Sequence, residues 1–296
     1  MVQLIPEGLR RMVGGATALE TGTREAVVLS VAAQKGGVGK TTTAVNLAYA
    51  LARFHDLRVL LVDIDSQGHV ASALYRLVPP TGGEGVSDIL LGKKRDIFEV
   101  ARPTRLDGLH VTPSDRHLNE TEGIIGARIG KELLLRQASR VARTHFDAII
   151  IDCPPNLGNL TLNALLASSH VLIPSDMSVL SLQGVHDLVD ALETVRERLG
   201  HDVKLAGLLR TRVDGRNRTV NEAILEALEQ DYGPQLLKTQ IPVNTALAKS
   251  QLEGRAVFDY APASTGAAAY RDLALEISWR LGLSARGGPA AASHPG

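Results

Sequence analysis

The nine residues Gln34-Lys35-Gly36-Gly37-Val38-Gly39-Lys40-Thr41-Thr42 constrain this chain more than any other stretch. They follow the apolar run Val27–Ala33, which reads as a buried parallel strand, and they open an amphipathic helix reaching to about Phe54. Strand, glycine loop and helix, in that order, form the context in which G-x-x-x-x-G-K-[ST] cradles phosphate. The glycines let successive backbone N–H groups face phosphate oxygens without Cβ clashes. The helix N-terminus adds a positive dipole end. Lys40 is placed to neutralise β- and γ-phosphates, and the Thr41 hydroxyl to ligate Mg²⁺. The frame departs from the common form at the head of the loop, where Gln34-Lys35 stand in place of an opening glycine. A glycine-rich turn can also bind nothing, but lysine, threonine and both flanking elements together point to a bound nucleotide.

Two acidic strand ends lie downstream. Arg58–Val62 reads as a second strand that runs into Asp63-Ile64-Asp65-Ser66-Gln67-Gly68. Alternation puts Asp63 and Asp65 on one side of an extended chain, at the strand edge where open α/β sheets place their ligands. Carboxylates beside phosphates need Mg²⁺, a lysine or a water; the other reading is a helix-capping pair. Phe146–Ile151 is a further apolar strand, ending in Asp152. An acid there can hold Mg²⁺ through the metal's water shell. Cys153-Pro154-Pro155-Asn156 makes a stiff loop suited to sensing a γ-phosphate. Cys153 itself reads as a small buried filler rather than a nucleophile.

The remaining chain alternates strand and helix. Leu109–Pro113, His170–Pro174, Leu205–Leu209 and Leu236–Ile241 read as strands. Arg128–Thr144 reads as a helix with Ile129, Leu133, Leu134 and Val141 on its apolar side, and Val179–Leu199 as a long core helix. Thr219–Gln230, Asn244–Leu252 and Ser264–Leu281 complete the set. The pattern predicts one α/β domain over residues 26–283, with a doubly wound, mostly parallel sheet flanked by helices. A flexible extension over residues 1–25 precedes it, where Leu4, Ile5, Leu9, Met12 and Val13 form a short amphipathic turn. A disordered tail, 284–296, follows.

Composition excludes several classes. Lys plus Arg equals Asp plus Glu, 32 against 32, so any basic surface must come from local clustering. Aromatics at 3% disfavour single-strand binding by stacking. One cysteine excludes an internal disulfide or a multi-cysteine metal site. No segment has the apolar length of a membrane span, and no signal-peptide core is evident, so a cytoplasmic location is expected.

Three boxes now carry a resemblance. Lys35–Thr43 resembles the deviant Walker A box of the ParA/MinD ATPases, Val62–Gly68 their Walker A′ box, and Ile150–Pro155 their Walker B and switch II. The similarity runs from about Val27 to Leu281 and includes Phe258-Asp259-Tyr260 and Ser264-Thr265-Gly266-Ala267. It implies a nucleotide-gated homodimer that uses ATP and Mg²⁺. Lys35 would be the signature lysine reaching the partner's ATP, and Lys40 the loop lysine. Gly36, Gly37, Val38, Gly39, Thr41 and Thr42 would hold the phosphates. Asp65 would orient the attacking water with Asp63 beside it, and Asp152 would hold Mg²⁺ through water. Thr211 and Pro242 are candidates for the base pocket. Slow hydrolysis awaiting a ParB-like or adaptor protein is implied.

The segregation branch of that family binds double-stranded DNA without sequence preference, which implies a nucleoid-associated protein. Arg210–Arg218 is the densest basic run, with four arginines against one aspartate, and Arg216 and Arg218 are its DNA candidates; a merely solvated loop is the other reading. Relatives carry further arginines after the Ile-Pro of the last strand, where this chain has Val243 and Ala246, so Lys249 and Arg255 are taken as substitutes. The cargo would be a plasmid or chromosome locus or a protein assembly. The alternative is a membrane-associated MinD or flagellar-number type, but the Gly/Pro/Ala tail cannot form the amphipathic helix it requires, so no membrane partner is expected. A metabolic enzyme of the nitrogenase-reductase or tyrosine-autokinase kind lacks its cluster cysteines or its terminal tyrosines.

Overall fold

The computed structural model describes residues 19–78, 83–113, 115–214, 216 and 218–283. The amphipathic turn expected near the N-terminus and the tail beyond 283 lie outside the described residues. The strands are β1 Val27–Val31, β2 Val59–Asp63, β3 Arg102–Pro103, β4 Leu109–Val111, β5 Ala148–Asp152, β6 His170–Asp176, β7 Lys204–Val213 and β8 Leu236–Pro242. The helices are α1 Lys40–His55, α2 His69–Ala73, α3 Val86–Leu90, α4 Leu118–Ile125, α5 Leu134–Gln137, α6 Ala142–His145, α7 Asn159–Ala167, α8 Val179–Leu199, α9 Arg218–Tyr232, α10 Thr245–Leu252, α11 Val257–Tyr260 and α12 Thr265–Arg280.

The strands form one sheet in the order β3-β4-β2-β5-β1-β6-β7-β8. Every neighbouring pair is parallel except β3 on β4. Helices cover both faces, so central strands are unbroken apolar runs; β2 and β5 are buried at every residue. Val28, Leu60, Val62, Ile149 and Ile151 share one core with Leu165 of α7 and Leu188 of α8. Leu29, Val31, Leu61 and Ile150 face the opposite way, into a core with Leu47 of α1 and Tyr270 of α12. The expected doubly wound sheet is therefore present. Its middle strand, β1, lies between β5 and β6 in register Val31↔Asp152 and Val31↔Leu172, which brings three strand ends to the glycine loop.

The segment 128–144 differs from expectation. Gly130 takes φ 69°, a single 3₁₀ turn spans Lys131–Leu133, and α5 and α6 follow as separate short helices. Asp96 is the cause of the second break: its carboxylate accepts the N–H groups of Val141 (2.7 Å) and Ala142 (3.0 Å), satisfying a new helix start from outside. Ile129 consequently projects fully into solvent, and Leu135 and Ala142 supply the buried contacts instead. The two-residue β3 is not expected from the sequence either; a proline-containing edge strand that short carries no alternation to read.

Helix α1 is tied to the end of the chain. The Asn46 amide donates to the Thr42 carbonyl (2.8 Å) and accepts from the Val257 N–H (2.9 Å). The Thr43 hydroxyl meets the buried Tyr270 hydroxyl at 3.2 Å. Tyr270→Phe is expected to lower stability by about 1 kcal/mol and the Tm by roughly 2 °C, measured by thermal unfolding. An unchanged Tm would show that this hydroxyl pair contributes nothing.

Candidate nucleotide site

The loop after β1 has a backbone that only glycine takes easily. Gly37 and Gly39 lie at φ 77° and 91°, in the left-handed region. A Cβ built on Gly39 would meet no atom within 4 Å, so the loop borders open space. Gly39 caps α1 without any side-chain hydrogen bond, which leaves first-turn N–H groups available to an anion. Buried Val38 anchors the loop. Strand β7 props it from outside: the Thr211 hydroxyl donates to the Val38 carbonyl (2.8 Å), and an Arg212 guanidinium nitrogen donates to the Gly37 carbonyl (3.1 Å).

The resulting cleft has a volume of about 640 Å³ and is lined by Gly36, Gly37, Gly39, Lys40, Thr41 and Thr42, with Asp65 and Gln251 across from them. Lys40 is 7% exposed and its ammonium donates to the Lys35 carbonyl at 3.0 Å. Burial pulls its pKa down, while Asp152 and Asp65 oppose that shift. Asp152 is fully buried, and neither of its oxygens has a hydrogen-bond partner of full geometry. Burial pushes its pKa up to about 7, with the nearby Thr41 hydroxyl favouring the charged form and Asp65 disfavouring it.

A buried carboxylate without donors is costly, and a divalent cation beside it removes that cost. Thr41 and Asp152 therefore fit Mg²⁺. The ion would neutralise charge on the phosphate oxygens. No cluster of three or more acidic, histidine or cysteine side chains suited to a metal occurs among the described residues. Cys153 is buried against this group, its thiol pKa pushed up by burial; such a thiol is inert.

The two aspartates after β2 part company. The strand ends at Asp63, and the chain turns, with the Gly68 N–H donating to the Asp65 carbonyl at 2.9 Å. The alternation that would set both on one side therefore stops. Asp65 lines the cleft and accepts the Gln67 N–H at 3.0 Å. Asp63, expected beside the phosphates, instead accepts the N–H groups of Asp65 (3.0 Å) and Val70 (3.3 Å) and stays behind the cleft, capping α2. Pro242 also does not line the cleft: the register Val213↔Pro242 puts it at the end of β8, the outermost strand on that side.

Lys35 points elsewhere than its own glycine loop. Its ammonium contacts both Asp176 oxygens (2.9 and 3.2 Å) and the Ser178 hydroxyl (2.9 Å) at the start of α8. Burial works against the Asp176 charge, yet hydrogen bonds from Ser178, Ser181 and Lys35 hold its pKa below the usual range.

The basic run is dispersed. Arg210 is half-buried, with a nitrogen 3.4 Å from the Leu237 carbonyl, and Arg212 serves the loop. Arg216 is exposed and pairs with Asp214 at 2.7 Å. Arg218 opens α9, and its side chain lies outside the described residues. Lys249 is exposed on α10, and Arg255 is half-buried in a different cleft, with Arg76 and Arg105.

Sequence reasoning misses Gln251, whose amide donates to the Thr42 hydroxyl at 2.8 Å, and the Asp176–Ser178 anchor. An acid closing the strand His170–Asp176 is the available signal for the second; nothing local distinguishes the first.

A profile of the AAA domain family matches residues 26–205. The sporulation initiation inhibitor protein Soj of Bacillus subtilis is 36% identical over 85% of this chain and 98% of its own length. The chromosome-partitioning ATPase Soj of Thermus thermophilus is 38% identical over 86% of this chain and 96% of its own. A crystal structure described as cobyrinic acid a,c-diamide synthase from Mycobacterium smegmatis, with bound ATP analogue and magnesium, superposes with a TM-score of 0.71 at 33% identity, covering 87% of this chain and 97% of that one.

Proposed function

This chain belongs to the ParA/MinD family of P-loop ATPases, and on that premise we propose that it is a positioning ATPase whose ATP-bound homodimer grips DNA and moves a cargo. It is an ATP hydrolase of the partition and positioning type that works with Mg²⁺. In the proposed cycle the glycine loop and Lys40 hold the triphosphate. Thr41 and Asp152 hold the metal, and Asp65 orients the attacking water. Lys35 completes the site of a second copy, and a ParB-like or adaptor protein stimulates turnover.

The observation that carries this reading is the placement of Lys35, on the loop but anchored to Asp176 outside the cleft that Lys40 and Asp65 line. A lysine kept from its own phosphates can neutralise charge only where a second subunit closes over it. Hydrolysis would then undo what binding built, since phosphoryl transfer here is mostly positioning and charge neutralisation. ATP acts as the timer of association.

DNA contact is assigned to exposed Arg216, with Arg218 and Lys249. Phosphate contacts position a protein without reading bases. Arg216→Glu is therefore expected to weaken ATP-dependent retention on duplexes of any sequence by a similar factor, and to reduce the log–log salt slope by about one for each phosphate no longer neutralised. Co-sedimentation at several salt concentrations checks it. Retention equal to that of the parent at every salt concentration would remove Arg216 from the footprint. Sedimentation with anionic vesicles instead of DNA would replace the DNA matrix with a membrane.

A further inference from the structure

A second cleft, of about 550 Å³, lies beyond α2, lined among the described residues by Arg76, Arg105 and Arg255, with Tyr75 and Asp259. Three separate segments build it. The Arg105 N–H donates to the Leu77 carbonyl (2.9 Å), and the Arg76 N–H to the Gly254 carbonyl (3.2 Å). Gly254 has φ 62°, and a Cβ there would lie 2.1 Å from the Tyr75 ring, so the close approach that forms the cleft wall depends on glycine.

Its charges are arranged for an anion. Arg76 is fixed in place by the Glu253 carbonyl (2.8 Å) and carboxylate (3.3 Å). Asp259 already accepts the Tyr49 hydroxyl at 2.6 Å. Among the described residues, neither Arg105 nor Arg255 makes a salt bridge. Guanidinium forks match phosphate oxygens in pairs, and with Arg76 already paired to Glu253, Arg105 and Arg255 are the two forks left to face a ligand. The concavity has the size of a small-molecule site. We propose that this cleft is a second binding site, separate from the glycine loop, for a small ligand carrying two or more linked phosphates.

The two clefts border the same chain segments. Ser72 and Ala73 line the nucleotide cleft, and Tyr75 and Arg76 the second; Gln251 and Leu252 line the first, and Arg255 the second. An occupant here would therefore bear on the segments that border ATP.

The test uses inorganic tripolyphosphate as the probe and the full-length Lys40→Ala chain, so that the glycine loop contributes little. Titration calorimetry is expected to show one site. Arg105→Gln should weaken it about tenfold, as should Arg255→Gln. The exposed Arg105 keeps the test independent of folding, which thermal unfolding verifies. No binding in the Lys40→Ala chain, or affinity indifferent to both substitutions, overturns the proposal. So does loss of ATP-dependent duplex retention when Arg105→Gln or Arg255→Gln is made in the parent chain, together with no tripolyphosphate binding in the Lys40→Ala chain, because the arginines would then serve a polymer.

Discussion

Lys40→Ala is expected to weaken ATP binding roughly 10²- to 10³-fold, in line with the ~3–5 kcal/mol lost when one partner of a buried charge pair is removed. Lys40 is 7% exposed, and its ammonium already donates to the Lys35 carbonyl, with Asp152 and Asp65 as its charged neighbours. Without it, a triphosphate entering the cleft would meet those two carboxylates with no lysine between them. Association of two copies should fail with binding, since in the proposed cycle a second copy closes over the nucleotide. A fluorescent-nucleotide titration checks the first effect. Affinity within twofold of the parent would remove Lys40 from the phosphate site.

The second large effect separates binding from chemistry. Asp65→Ala should leave ATP affinity within about twofold of the parent and lower turnover roughly 10²-fold, the lower range for a group that positions or deprotonates a nucleophile. Asp65 lines the cleft, with one oxygen engaged only by the Gln67 N–H. Asp63 offers a contrast. It is committed to the N–H groups of Asp65 and Val70, so Asp63→Ala should act on the fold around α2 rather than on turnover alone. Parallel turnover and thermal-unfolding measurements on the two variants separate these roles. A folded Asp65→Ala chain turning over at the parent rate would contradict the assignment.

The elements that the sequence makes legible are those whose physics is local. Unbroken apolar runs identify β1, β2 and β5 because both faces of those strands are covered, and a glycine loop ending in Lys40-Thr41 declares its own chemistry. Arg128–Thr144 is illegible because Asp96, far away in sequence, supplies the hydrogen bonds that restart the helix. The basic run misleads for a similar reason. Arg210 and Arg212 count as surface charge in the sequence, yet backbone carbonyls of β8 and of the glycine loop engage them in the fold. Asp63 and Asp65 look equivalent until the strand ends between the two.

ATP-gated pairing of two copies of this chain is the core of the proposed cycle. Its most direct test is the solution mass of the Asp65→Ala chain by light scattering, with Mg²⁺ and either ATP or ADP. Twice the monomer mass is expected in ATP, and the monomer mass in ADP. One and the same mass in both nucleotides would contradict it.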